Sequence, residues 1–341
     1  MVPPCTRERS PGFARSPAKR ENGPETPRAA GRTWGMISRS TLIGALVVVE
    51  LVIAGAAARA IAGDAGPPSP AGFTPFTAGP PAAPRLDRTF ATGLAPHIVI
   101  DVHDVRVNVR GENAVAVHAV ENLKKTGFVS GNFAPLTAQQ TADGMRFSTP
   151  AGDEGHVVVG CFTHELNLTV PAGARVEIAS ADSLDVAGLR SKLVAHIPDG
   201  AMRISDHRGD VDVSTGDGRI TMTDVDGADV AANTRDGRIY LTRVGADRLN
   251  AFSNSGRIVG VDVRAVDGAL TTRDGRVILS FTGNSDATVS ARTADGDVRV
   301  TGLSTTDSDE THATVRLGEG RGRFAVSTDN GPIVITPGAS V

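Results

Sequence analysis

Across the C-terminal half of the chain, apolar residues alternate with polar ones in short runs, and the runs return in the same phase. Six glycines mark that phase: Gly218, Gly237, Gly256, Gly275, Gly296 and Gly331, the first four spaced by 19 residues, the next gap 21 and the last 35. Two positions after each glycine stand Ile220, Ile239, Ile258, Val277, Val298 and Ile333. Five before stand Val213, Ala232, Ala251, Leu270, Ala291 and Val326. An apolar period of two on both sides of the glycine predicts strands with one face turned inward.

The residue before each marker is Asp217, Asp236, Ser255, Asp274, Asp295 or Asn330. An Asp-Gly step is a turn signal, and it predicts positive φ at the glycine. A second turn is expected half a repeat away, at Gly227, Gly245, Gly283 and Gly302. Each unit is then strand, turn, strand, turn. An array of hairpins would share this spacing, but like residues recurring at one repeat offset favour a β-solenoid, in which each coil bonds to the next at ~4.8 Å. Six aligned glycines imply at least six coils, and the small Ala column implies a thin, flattened core. A Thr/Ser column (Thr215, Thr234, Ser253, Thr272, Thr293, Thr328) is placed to satisfy turn backbone groups with its hydroxyls. Gly260 interrupts the alternation and predicts a bulge there, with Val259 and Val261 turning inward. Pro332 and Pro337 fall in what the sequence order makes the last coil, where they would blunt its open edge.

Upstream, 98–109, 114–120, 145–149, 156–162 and 165–178 also alternate but lack the 19-residue phase. They predict an N-terminal β region, 89–178, capping a solenoid that occupies 179–341. The fold class expected is therefore all-β, a solenoid of about 19-residue two-strand coils with an N-terminal cap.

The first 88 residues differ in kind. Thr41 to Ala58 carries a single charge, Glu50, and is near the lower limit of ~20 residues for crossing the hydrocarbon core. Arg39 and seven further basic residues lie upstream against three acids, which keeps the N-terminus in the cytoplasm and the bulk outside. The expected organisation is a basic tail (1–35), one transmembrane signal-anchor helix (36–62) and a Pro/Gly-rich linker (63–88). Cleavage after Ala60 would instead release a secreted product. Residues 64–341 carry 26 basic and 34 acidic side chains, a balance that argues against nonspecific nucleic-acid binding. Cys5 and Cys161 make no disulfide framework.

The run ELNLTVPAGARVEI leading into SLDVAGL, then GDVDVSTGDGRITMTDVDG, TRDGRIYLTRV and TRDGRVILS, resembles the bacterial "putative adhesin" β-strand-repeat family of unknown function. The resemblance spans about 90–337 and implies an envelope location and a binding role. It implies no catalytic residues.

Candidate chemistry is sparse. Asp224 to Gly227 looks like part of a calcium loop, but the aspartates fall on separate turns, where turn chemistry accounts for them. His156 and His164 flank Cys161, yet along one straight strand they lie ~26 Å apart, too far for a zinc site. No catalytic group, metal or cofactor is expected. The position after the turn glycine reads Arg219, Arg238, Arg257, Arg276 and then Asp297. Four stacked arginines are either a solvated face neutralised by the turn aspartates or a linear anion-recognition stripe. Beside them Thr221, Tyr240, Val259 and Ile278 form an exposed apolar row, suited to protein contact. The leading expectation is a non-enzymatic, adhesin-like interaction scaffold at the cell membrane, binding an envelope protein or an anionic wall polymer. The alternative is a self-assembling structural spacer or coat. A third reading, a carbohydrate-active β-helix enzyme, needs acid and base groups converging in a groove, which the columns do not supply.

Overall fold

A computed structural model describes residues 84–131, 135–149 and 155–338, with side chains described outside 125–131 and 155–161. The basic tail, the apolar segment 41–58 and most of the proline-rich stretch lie outside the described residues. Among those described, no helix is long and apolar enough to cross a membrane, and every regular element is a strand.

The 19-residue phase is the coil-to-coil register. On one sheet, Val211–Thr215 pairs in parallel with the end of Ile220–Thr234, and the stack continues through Ile239–Ser253 and Ile258–Asp274 with Val213, Ala232, Ala251 and Leu270 in line. On the other sheet Ile204, Met222, Leu241, Gly260 and Leu279 align in the same way. Parallel pairing at one repeat offset is a solenoid and excludes the hairpin array. The inward columns are buried, and their Ile, Val, Leu and Ala side chains fill the space between the two sheets.

The Asp-Gly turns follow the sequence expectation only in part. Gly296 and Gly331 have the expected positive φ, 153° and 144°, but Gly218, Gly237, Gly256 and Gly275 lie outside that region. They are glycines because the coils touch there: a Cβ on Gly237 would lie 1.8 Å from the Gly218 carbonyl oxygen, and one on Gly256 would lie 1.7 Å from that of Gly237. At the opposite corner a column of non-glycine residues, Asp206, Asp224, Arg243 and Asp262, is left-handed, with φ of 44–56°. Aspartate tolerates that conformation well; Arg243 is held in it with its guanidinium on the Asp224 carboxylate, Nη2 to Oδ2 2.8 Å. The hydroxyl ladder forms as expected. Thr215, Thr234, Ser253 and Thr272 donate to the carbonyls of Gly200, Gly216, Gly237 and Gly256 at 2.9–3.2 Å, and Thr328 and Thr293 do the same to Gly275 and Gly331 at 3.0 Å.

The stack order departs from the chain order at both ends. The final coil, Gly322–Asn330 and Ile333–Pro337, lies between the coil ending in Phe281 and the one containing Ala287–Asp295 and Val298–Val300. The reason is visible in the core. Gly268 leaves an inward position without a side chain, Phe324 is its direct neighbour, and Phe324 packs edge-on against Phe281 at 5.6 Å. Pro332 and Pro337 therefore do not blunt an edge; the strands there are covered on both sides. The end of the stack is covered by antiparallel strands, His312–Leu317 on Ala287–Asp295 and Thr305–Ser308 beyond it. The N-terminal end repeats the plan: His97–Asp101 lies between Gly144–Ser148 and Arg175–Ser180, and Arg106–Glu112 between Gly155–Pro171 and Ser183–Ala187. Thr137–Gln140, Ala116–Gly131 and Leu86–Ala91 add antiparallel strands outside them, the last starting within the stretch read as linker.

The expected irregularity near Gly260 is present, the register slipping between Gly260 and Val263. Val259 and Val261 do not turn inward, however: Val259 is half-buried on the outer face and Val261 is 41% exposed. Gly260 keeps the inward position, where a Cβ would meet Leu279 Cδ1 at 2.7 Å and Val263 Cγ2 at 2.9 Å. Its neighbours already fill the site.

These contacts set the expected order of three variants. Gly237→Ala forces the coils apart and costs about 1–3 kcal/mol, the range for inserting a methyl into a packed site. Thr234→Val removes the hydroxyl hydrogen bond to the Gly216 carbonyl, which keeps the Arg235 and Asp236 amides, and costs about 0.5–1.5 kcal/mol, whereas Thr221→Val on the outer face changes stability by less than about 0.5 kcal/mol. Denaturant midpoints order the three variants. Truncation after Arg321 removes the inserted coil, and hydrogen exchange is expected to show 287–320 losing protection while 202–253 retains it.

Candidate functional site

Three outward rows run side by side along one sheet. Backbone hydrogen bonds fix the order of the first: the amide of Met202 donates to the Arg219 carbonyl, Ile220 to Arg238, Ile239 to Arg257, Ile258 to Arg276, Val277 to Pro332 and Ile333 to Asp297, at 2.8–3.1 Å. The four arginines are thus contiguous and exposed, and Pro332 separates them from Asp297. Two residues further along each strand come Thr221, Tyr240, Val259, Ile278 and Val334, in register. This row is half-buried rather than exposed. Two residues further again stand Thr223, Thr242 and Val261, followed across the bulge by Ser280 and Thr336.

Charge pairing separates the two corners of the coil. At the left-handed corner, Arg190 grips Asp206 with both Nη2 contacts at 3.1 Å, Arg248 meets Asp229 at 2.9 Å and Arg264 meets Asp226 at 2.8 Å. Arg243 donates to Asp224, holding that carboxyl below its usual range while its own pKa is raised. At the Asp-Gly corner, Asp217 is taken by Arg235 at 2.9 Å and Asp236 lies 3.4 Å from the same guanidinium; Asp274 accepts from the Asn330 amide. Within the described residues, Arg219, Arg238, Arg257 and Arg276 have no carboxylate partner. Arg219 sits over the Tyr240 ring, 5.7 Å from its centroid. Arg238, Arg257 and Arg276 line a shallow groove of about 610 Å³ that also includes Ser255 and Asn330, the two neutral breaks in the acidic column.

Val334 and the hydroxyl row were missed in the sequence reading. Val334 follows Gly331 by three residues, as Tyr240 follows Gly237, so the column rule contained it. It was lost because chain order makes Asp297, not Pro332, the successor of Arg276.

The remaining titratable clusters are structural. His164 Nε2 lies 2.9 Å from the buried Glu121 carboxylate, which also accepts the Leu136 amide at 3.1 Å. His156 and Cys161 have side chains outside the described set. Among the described residues no cluster of His, Cys, Asp or Glu is arranged to hold a metal. His207 is the one inward histidine of the second sheet's column, aligned with Val225 and fully buried, with neither ring nitrogen in bonding geometry. Burial pushes its pKa down, and the Asp210 and Gly209 backbone and Asp206 offset only part of this.

A group whose folded pKa is depressed this way is neutral in the folded state, while the unfolded chain protonates below about 6.5. Stability is therefore full above that pH and falls below it, by up to about 1.4 kcal/mol per pH unit. His207→Leu should flatten that limb. Denaturant midpoints at pH 7.5 and 5.0 for both proteins check it, since the oppositely shifted His312 is common to both.

Among solved structures, two bacterial proteins are similar. A putative cell adhesion protein from Clostridium sporogenes ATCC 15579 is 12% identical, with a TM-score of 0.27 over 74% of this chain and 99% of that one. A putative adhesin from Bacteroides fragilis NCTC 9343 is 10% identical, with a TM-score of 0.38 over 74% of this chain and 96% of that one. Similarity at those scores does not bear on the ligand. No curated protein matches the chain. The Toastrack DUF4097 family model matches residues 95–336, a span that takes in nearly the whole stack from the first parallel coil to the inserted last one. The chain belongs to the Toastrack DUF4097 family.

Proposed function

We propose that this protein is a non-enzymatic, adhesin-like interaction scaffold held outside the cytoplasm by its N-terminal apolar segment, and that it binds an anionic partner along the arginine row. The observation that carries this reading is the contrast between the two corners. Among the described residues, Arg190, Arg243, Arg248 and Arg264 each have an aspartate, while Arg219, Arg238, Arg257 and Arg276 have none. Stacked at ~4.8 Å, neighbouring guanidinium groups repel by about 1 kcal/mol per pair at water-like dielectric. An anion lying along them relieves that repulsion and can be held by bidentate hydrogen bonds that lysine does not reproduce. The extracytoplasmic placement is supported by the basic tail and the 41–58 segment. The reading as a scaffold rather than an enzyme is supported by rows of one residue type that place no acid beside a base on the reacting scale. Assembly into a structural coat is the alternative, and sedimentation of the purified chain into large particles without ligand would favour it.

The direct test replaces all four arginines with glutamine and measures binding to long-chain polyphosphate and to polygalacturonate. Wild-type binding is expected to weaken steeply with salt, because exposed charges are screened. The glutamine variant should lose about ten-fold or more, with its denaturant midpoint equal or slightly higher. Equal binding by the two proteins contradicts the proposal.

A further inference from the structure

The face beside the arginine row has a chemistry of its own. The three rows are two residues apart along each strand, about 6.6 Å; the first two are continuous along the axis at ~4.8 Å, and the third is interrupted by Val261 at the bulge. The first is cationic, Arg219 to Arg276. The second offers half-buried apolar surface, from Tyr240 through Val259 and Ile278 to Val334. The third offers hydroxyls, and those of Thr223 and Thr242 make no hydrogen bond within the described residues. A ligand matching all three at once has acid groups along one side, a C–H surface in the middle and hydroxyls along the other.

From this juxtaposition we infer that the ligand is a linear polysaccharide of carboxylated sugars, lying parallel to the stack axis. The inference rests on the proposed anion-binding face and specifies what that face recognises. A hexuronate ring carries the three chemistries in the required order: a carboxylate for the guanidinium forks, axial C–H groups for the apolar row, and ring hydroxyls for Thr223 and Thr242. A polyol-phosphate chain satisfies the arginines but brings no flat C–H surface to the middle row. An acidic peptide brings no row of hydroxyls to the third. The opposite outer sheet lacks the first row: its aligned positions are Asn233, Phe252, Thr271 and Ser327, with Ala231, Asn250, Ala269 and Ala325 beside them. The match is therefore confined to one face.

The test uses the full chain in detergent and three probes of equal charge at one salt concentration: polygalacturonate, polyglutamate and long-chain polyphosphate. Polygalacturonate should bind about ten-fold more tightly than either of the others, and its methyl ester should lose binding. Thr223→Val with Thr242→Val, an outward and near-isosteric pair, should weaken polygalacturonate about ten-fold and leave polyphosphate unchanged. Equal affinity for the three probes, or loss of all three alike in the valine pair, overturns this inference. If that binding still vanishes in the four-glutamine variant, the anion face itself stands. No binding by any probe overturns both.

Discussion

The close approach of one coil to the next at the Asp-Gly corner is the constraint from which the rest of this structure follows. At that corner the backbone of each coil lies against the carbonyl of the coil before it, with no room for a Cβ. The glycine column is therefore a measure of contact at every level, with a positive φ added only at Gly296 and Gly331. The inward hydroxyl three residues earlier completes the joint by bonding a turn carbonyl that points away from water. Where no backbone amide also reaches that carbonyl, leaving it buried and unsatisfied would cost about 1–3 kcal/mol. With glycine and threonine alternating in this way, the coils stack at strand spacing and every side-chain column comes into line. The inward columns become the core, and the outward ones become continuous rows.

A solenoid built from identical joints has a weakness at its ends, where the last coil has a partner on one side only. In this chain both ends are interlocked. The N-terminal parallel coil and the C-terminal one each sit one level in from the end of the stack, bonded on both sides, and later or earlier parts of the chain are laid over them. Fraying from the C-terminus would need two ladders broken together. The antiparallel strands outside them change the direction of the backbone and end the parallel template.

Much of this was legible in the chain. Period two gave the strands, the 19-residue recurrence gave the coils, and the Thr/Ser column gave the hydroxyl joint. The torsion was misread at Gly218, Gly237, Gly256 and Gly275, though not at Gly296 and Gly331, because a glycine forced by φ and a glycine forced by contact look alike in one sequence. The place of the last coil was misread because chain order was taken for stack order. The 35-residue gap before Gly331 was the available sign: it is long enough for an excursion through His312–Leu317 and back. Phe324 beside Gly268 was the other, a large and a vacant position that complement each other only as neighbours. Whether the arginines were paired could not be read from spacing, since Arg219, Arg238 and Arg276 each follow an aspartate by two residues. Only the fold shows that Asp217 and Asp236 turn to Arg235 instead.

The stack order also decides the surface, because it brings Val334 beside Ile278 and ends the arginine row at Pro332. A disulfide test reads that order directly. Thr271 and Ser327 are aligned neighbours with hydroxyls 3.1 Å apart, while Arg292 lies one level beyond Ser327. With Cys5 and Cys161 replaced by serine, Thr271→Cys with Ser327→Cys should oxidise readily, since adjacent strands fall within the ~4.4–6.8 Å Cα range of a disulfide. Thr271→Cys with Arg292→Cys, two strands apart at about 9.6 Å, should remain reduced. Oxidation of the second pair and not the first would mean that the coils stack in chain order, and would contradict the interlocked arrangement.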